Sequence, residues 1–285
     1  MLTWGCLFET FNAHTEHKNK KMRTKIALLS AALVAAGVAS SMAQSNVYSL
    51  NVVGYVNINV TTGYNLITLP LLNADNTSAV NSVLTNTTPV VPGACTVSSW
   101  DPVHVKFNDA LFAGGDGNWY DGSYSYLTNL PGGLPPGKGF FFYLPTPAQQ
   151  VASGDPAPGI TSLTLTVVGT VLQGTNTYPV TAGYDFYGNF EPVSGDLTTN
   201  GLPVVDASFI TTWNGHAYNN ASFGLGTNDS SYDSMGNIVG NPAPYPVFAD
   251  GGYNVVQVVA PAVGQGFLYH YAGTATTWTQ TFTVH

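Results

Sequence analysis

Beyond residue 43 the chain holds four histidines, His104, His216, His270 and His285, and a single glutamate, Glu191. A nucleophilic triad would need one of those histidines to converge with an Asp and a Ser, and no Gly-x-Ser-x-Gly strand-to-helix elbow favours it. His285 is the last residue, and His104 and His216 fall in or beside predicted hairpin turns. Hydrolysis of a glycosidic bond needs two carboxylates about 5 to 10 Å apart, and with one Glu any such pair must use Asp. Most of the acids lie in Asn/Gly/Asp/Ser turns, where Asp caps its own backbone. The reading is therefore a non-enzymatic protein with no catalytic residue assigned and no cofactor.

Two acidic runs carry oxygen ligands among glycines. In Asp116-Gly117-Asn118-Trp119-Tyr120-Asp121-Gly122, the side chains of Asp116, Asn118 and Asp121 are candidate Ca²⁺ ligands, and Asn228 to Asp233 has a similar character. Neither run matches the twelve-residue calcium loop with its closing Glu. Transition metals lack any Cys/His spacing. Gly137-Lys138-Gly139 and Gly264-Gln265-Gly266 invite a phosphate-loop reading, but apolar strand residues follow instead of a helix, so these glycines are read as bends feeding buried strands. Aromatic rings are the remaining candidates. Trp119, Tyr120, Tyr124 and Tyr126 sit in a Gly/Asp-rich insertion, Ala113 to Tyr126, and are predicted to be an exposed ligand surface suited to sugar stacking. Trp100 and Trp213 recur at equivalent places, which suits a core position in each of two units.

The elements that must hold these residues come twice. Val60-Thr61-Thr62-Gly63-Tyr64-Asn65 returns as Val180-Thr181-Ala182-Gly183-Tyr184-Asp185, and Gly137-Lys138-Gly139-Phe140-Phe141 returns as Gly264-Gln265-Gly266-Phe267-Leu268. A period this long points to duplicated domains, because solenoid and propeller arrays repeat at roughly 20 to 50 residues. Val52 to Val60, Thr161 to Val168 and Val255 to Val259 are rich in Val, Thr and Tyr with period-two alternation, the signature of half-buried strands. Asn214-Gly215 predicts a tight hairpin, whereas Pro102 forbids the same turn after Trp100 and predicts a longer loop. Asp75 to Ser78 could cap a short helical turn with Ala79, Val80, Val83 and Leu84 as its stripe. Pro145 to Gly159 reads as a linker or as the end of the first unit, with one strand at the overlap able to close the first unit and open the second.

Met22 to Ala43 has the layout of a secretory signal peptide: Arg23 and Lys25, an apolar run from Ile26 to Ala39, and Ser41-Met42-Ala43 before the cleavage point. Residues 1–21 read as an N-terminal extension from a start placed upstream of Met22, or equally as an extended n-region. No further stretch reaches the ~18 apolar residues of a membrane span. Cleavage would leave Lys106 and Lys138 against thirteen acids, a net charge of −11 with no Arg. Nucleic acid and anionic phospholipid need clustered Lys and Arg, so both are excluded as partners. Cys95 would be the one remaining thiol, read as a buried apolar side chain.

Asn51-Val52-Val53-Gly54-Tyr55-Val56 after the leader, then Gly63-Tyr64-Asn65-Leu66-Ile67, Trp100-Asp101 and Pro135-Pro136-Gly137-Lys138-Gly139-Phe140 resemble an uncharacterised family of exported two-repeat β-proteins from verrucomicrobial and related environmental bacteria. Gly183-Tyr184, Trp213-Asn214-Gly215, Gly264-Gln265-Gly266-Phe267 and Trp278 to Phe282 extend the resemblance over the second half. It implies architecture and export and carries no functional residue. The expectation is an all-β fold of two tandem homologous β-sandwich or barrel-like domains with at most one or two short helices, divided as extension 1–21, signal peptide 22–43, domain 44–160 and domain 161–285. The expected role is an exported surface or extracellular-matrix protein, located outside the cell, at its surface or in the periplasm. It would act through structural and adhesive contacts with itself or with envelope polysaccharide. A glycan-binding module using exposed aromatics is the alternative, and a secreted hydrolase the second.

Overall fold

The computed structural model describes residues 52–73, 78–84, 87–224, 247–249, 255–256 and 259–283. The readings of residues 1–21 and 22–43, the Asp75 to Thr77 cap, the Asn228 to Asp233 run and His285 lie outside the described residues. Within them the chain is all-β, with two short helices. No helix among the described residues is long and apolar enough to cross a membrane.

The first part of the chain builds two sheets. β1 (Val52–Thr61) pairs antiparallel over its whole length with β8 (Ser162–Val171), and β8 also pairs with β3 (Thr87–Thr88). The second sheet runs in the order β2 (Gly63–Thr68), β7 (Gly139–Leu144), β4 (Thr96–Asp101), β5 (Lys106–Ala113), β6 (Asn118–Tyr120). Alternation explains the outer pair: Leu163, Leu165, Val167, Gly169 and Val171 of β8 are buried while the alternate residues between them face outward. β7 departs from alternation because both of its faces are covered, which accounts for the unbroken Phe140-Phe141-Phe142 run. Phe140, Phe142 and Leu144 enter the first core with Ile67, Val97, Ala110 and Phe112. Cys95 is in that core too, and burial pushes its thiol far above the ordinary range, which keeps it a neutral, unreactive side chain.

The rest of the chain forms β9 (Gly174–Val180) paired with β16 (Thr276–Phe282), and a sheet ordered β10 (Gly183–Gly188), β15 (Gly266–Tyr271), β11 (Phe209–Trp213), β12 (Tyr218–Gly224), β13 (Val247–Ala249), β14 (Val255–Val256). Its core gathers Tyr187, Phe190, Ile210, Phe267, Tyr269 and Trp278. The hairpin loops differ as the proline requires: Trp213 pairs with Tyr218, whereas Trp100 pairs with Phe107, two residues further on.

Helix α1 (Val80–Val83) carries the predicted stripe, with Ala79, Val80 and Leu84 buried, but its N-cap is Ala79 and no side chain caps it. Helix α2 (Pro147–Ala152) lies inside the segment read as a linker. Thr146 and Gln149 form a reciprocal capping box and Pro147 occupies the first turn, where its missing N–H costs nothing. Gln150 is fully buried; its Nε2 donates to the carbonyls of Pro145 and Ile160, and its Oε1 accepts from the N–H groups of Gly159 and Ile160. One amide therefore satisfies four backbone groups and fixes the path from β7 into β8.

Candidate functional site: the aromatic cleft at the sheet junction

The five-stranded and six-stranded sheets meet at the ends of their glycine-flanked strands. Ile67 forms a β-bridge with Gln265 and Lys138 forms one with Tyr187. Thr68 donates its N–H to the Gly264 carbonyl at 2.9 Å, and Gly188 donates its N–H to the Gly137 carbonyl at 3.0 Å. The two Gly-x-Gly motifs permit this approach. A Cβ on Gly139 would stand 2.7 Å from the carbonyl oxygen of Tyr187, and one on Gly266 would stand 2.9 Å from that of Ile67. The motifs do feed buried strands, and their glycines also admit the backbone of the opposite sheet.

Between the sheets lies a third apolar cluster of Leu66, Phe141 and Phe186, with Trp100, Trp213 and Leu268 packed on it. Trp100 and Trp213 are thus not core residues of separate units. Pleating puts Val97 and Ile210 into the two cores and turns Trp100 and Trp213 to the opposite faces, where they are half-buried at the junction. Each indole N–H crosses it: Trp100 donates to the Tyr184 carbonyl at 3.1 Å and Trp213 to the Tyr64 carbonyl at 2.7 Å. Tyr64 and Tyr184 are 52% and 51% exposed, a matched pair like the tryptophans that hold them. Charge breaks the match. Lys138 Nζ lies 2.8 Å from Asp185 Oδ1 in a buried ion pair, whereas the corresponding motif positions are Gln265 and Asn65.

On one side of this junction a cleft of about 350 Å³ opens, lined by Tyr64, Ser98, Phe107, Asp109, Phe141, Trp213 and Tyr218. Four strands of the five-stranded sheet contribute alternate residues of one face, because Ser98 pairs with both Asp109 and Phe141 in register. Trp213 and Tyr218 come across from the base of the β11–β12 hairpin. The rings stand at steep angles: 80° between Tyr64 and Phe141, 87° between Phe141 and Trp213, and 55° between Trp213 and Tyr218. Burial raises the Tyr218 phenol above its usual range, so it remains a neutral hydrogen-bonding group. Tyr64 and Trp213 also wall a second cleft of about 380 Å³, whose lining includes Asn57, Asn59, Asn65, Asn214 and Gln265.

The insertion predicted as the ligand surface is arranged differently. Trp119 is only 2% exposed and packs on Phe112, because the pleat of β6 turns the middle residue of Asn118-Trp119-Tyr120 into the first core. The ring is therefore part of the core and not the exposed surface expected from the sequence. Tyr120 is half-buried, Tyr124 and Tyr126 are exposed, and Tyr120 bridges Tyr126. Asp116 accepts from the Tyr120 hydroxyl and from Asn118 N–H, and the Tyr120 contact lowers its pKa and raises that of the phenol. Asp121 Oδ1 accepts from the N–H groups of Ser123 and Ser125 at 2.8 and 2.9 Å. The candidate Ca²⁺ ligands Asp116 and Asp121 therefore serve as turn caps, and no group of three His, Cys, Asp or Glu among the described residues is placed to hold a metal ion.

The acid–base candidates are dispersed. His104 Nδ1 meets Asp101 Oδ2 at 2.7 Å on an exposed hairpin tip, and that contact lowers the Asp101 pKa. His216 is exposed in the β11–β12 turn, and His270 stacks on Phe209 with ring centroids 4.8 Å apart. Glu191 is 1% exposed beside Asn176 and Gln280, and burial pushes its carboxyl up to about 7. Among the described residues none of these lines the aromatic cleft. Comparison of the chain with family models, curated proteins and solved structures gives no match.

Proposed function

We propose that this chain is an exported, non-enzymatic surface or extracellular-matrix protein, built from two copies of one sheet-forming module, that works through structural and adhesive contacts. Duplication is supported by the matched sheet orders and by junction contacts that pair each motif with the other's counterpart. Export rests on the leader-like sequence of residues 22–43, and membership of the exported two-repeat family on the motifs shared with it. No catalytic residue, metal or cofactor enters the proposal.

The observation that carries the adhesive role is the character of the two outer sheets. The outward residues of β1 are Val53, Tyr55, Asn57, Asn59 and Thr61, and those of β9 and β16 are threonines plus Gly174 and Pro179. Thr164 and Thr166 hydroxyls donate to Asn59 and Asn57 across β1–β8, and Thr175 meets Thr281 across β9–β16. A chain this acidic has kept charge off both of these faces. Uncharged, flat sheet faces and edges without Lys are the surfaces on which sheets associate with one another or with other hydroxyl-rich material.

The test places a charge on each face. Tyr55 is 74% exposed, and Thr279 is exposed on β16. Tyr55→Lys and Thr279→Lys, made in the full chain, are expected to shift the protein from the cell-associated fraction into the medium and to reduce its assembled mass by light scattering, with unchanged melting. Unaltered retention and mass in the double variant would remove the adhesive reading.

A further inference from the structure

The aromatic cleft has a geometry the adhesive faces lack, and we propose that it binds one or two pyranose residues of a neutral, soluble glycan chain, which continues into the adjoining amide-lined groove. This deepens the surface-contact reading by naming a ligand class; its cleft residues are not those of the adhesive faces, while the groove shares Asn57, Asn59 and Thr61 with the outward face of β1.

The ring arrangement comes first. Tyr64, Phe107 and Tyr218 are each 42% to 52% exposed, and Phe141 and Trp213 close the floor. Rings at 55° to 87° to one another cannot form the flat platform that a crystalline polysaccharide surface needs. They form an angled pocket, which suits a single sugar ring with its apolar C–H face on one aromatic face and its hydroxyl rim free. The polar groups suit that rim, because Asp109 offers carboxylate oxygens and Ser98 a hydroxyl at the sheet end of the same cleft. The volume, about 350 Å³, is at the lower end of what small-ligand pockets require.

The continuation decides between ligand classes. An aromatic pocket with one carboxylate also suits a quaternary ammonium ion. Such a head group would make no use of the groove that follows, however. Across the shared walls Tyr64 and Trp213 stand Asn57, Asn59 and Asn214. Thr166 donates to Asn57 Oδ1, Thr164 to Asn59 Oδ1, and His216 and Ala217 N–H groups to Asn214 Oδ1. With their oxygens committed, these amides present N–H donors. Donors on one side of a ring pair and an acidic acceptor on the other fit a polyhydroxyl chain running across it. Charge sets the last constraint: among the described residues the cleft has one carboxylate and neither lining has a Lys or Arg, which disfavours uronic or phosphorylated sugars.

The experiment is affinity electrophoresis of the full chain through gels containing hydroxyethylcellulose, xyloglucan, galactomannan, amylopectin or polygalacturonate, with and without excess choline chloride. At least one neutral polysaccharide is expected to retard the protein and polygalacturonate is not. Tyr64→Ala and Tyr218→Ala should each weaken retardation by about tenfold, the loss of one stacked ring, while Tyr124→Ala, in the exposed insertion, leaves it unchanged. Circular dichroism of the variants separates lost binding from lost fold. Retardation by none of the neutral polymers, equal retardation by polygalacturonate, release by choline, or sensitivity to Tyr124→Ala rather than to the cleft variants would each overturn the assignment. Tyr55→Lys lies outside the cleft, so failure of the adhesive reading and failure of this one give different patterns.

Discussion

Trp213 donates its indole N–H to the main-chain carbonyl of Tyr64, 149 residues away, at 2.7 Å. Trp100 makes the counterpart bond to Tyr184. Each indole thereby ties the tip of one sheet to the edge strand of the other, and the apolar part of each ring covers Leu66, Phe141 and Phe186.

Trp213→Phe keeps most of that cover and removes the donor. Both bonds lie in partly solvated settings, so water can replace the lost partner and the cost should be about 1 kcal/mol. Trp100→Phe should cost a similar amount, because the two tryptophans occupy matched positions. Urea unfolding of the two single variants would check this, and a cost confined to one of them would break the correspondence.

Gly139→Ala and Gly266→Ala test the close approach of the sheets. Each added methyl would meet a backbone carbonyl that cannot rotate away, Tyr187 in one case and Ile67 in the other. We expect a loss of about 2 to 3 kcal/mol for each, the upper part of the usual overpacking range. Gly115→Ala, where an added Cβ meets nothing within 4 Å, serves as the control and should be near neutral. Thermal melting of the three variants reads the difference.

Much of this architecture is visible in local sequence. Period-two alternation marks β1 and β8, and the unbroken apolar run of β7 marks a strand covered on both faces. Proline 102 foretells the longer hairpin loop. Helix α2 was also legible in principle, since Thr146-Pro147 with Gln149 spells its capping box, but prolines on both sides make the segment read as a linker. Trp119 shows how neighbours mislead: glycines and aspartates around it suggest an exposed loop, while a strand of three residues is enough to turn the ring inward. The cleft was not legible, because Tyr64, Ser98, Phe107, Asp109, Phe141, Trp213 and Tyr218 come from six strands and meet only through register and through the junction. The recurrence of Trp100-Asp101 as Trp213-Asn214 marks matched positions, but no local pattern reveals that each reaches the other's sheet.

Lys138 and Asp185 are where the matched junction is made unequal. Both side chains are nearly buried, so Lys138→Met should leave an uncompensated carboxylate and cost about 3 to 5 kcal/mol. The double change Lys138→Gln with Asp185→Asn installs the residues found at Gln265 and Asn65, and it should recover most of that loss. Guanidinium unfolding of Lys138→Met and of the double variant measures the recovery. A double variant no more stable than Lys138→Met would show that the ion pair has no neutral equivalent at this position.

Glu191 gives the fold a pH dependence whose sign follows from burial. Its carboxyl is held up to about 7 by desolvation, which the single bond from Asn176 Nδ2 only partly offsets. The unfolded chain releases this proton near 4.5, while the folded chain keeps it until about 7. Below 4.5 both states hold the proton and the full stability is present. As pH rises through that window the unfolded state is favoured, and above it the loss reaches a plateau on the order of 3 kcal/mol. Glu191→Gln is isosteric, keeps an oxygen for Asn176 and cannot ionise. The variant should therefore show a smaller decline in urea midpoint between pH 5 and pH 8 than the parent, and should be the more stable of the two at pH 8. Parallel midpoints across that range would mean that the carboxylate is solvated in the folded chain and that its burial beside Gln280 carries no electrostatic cost.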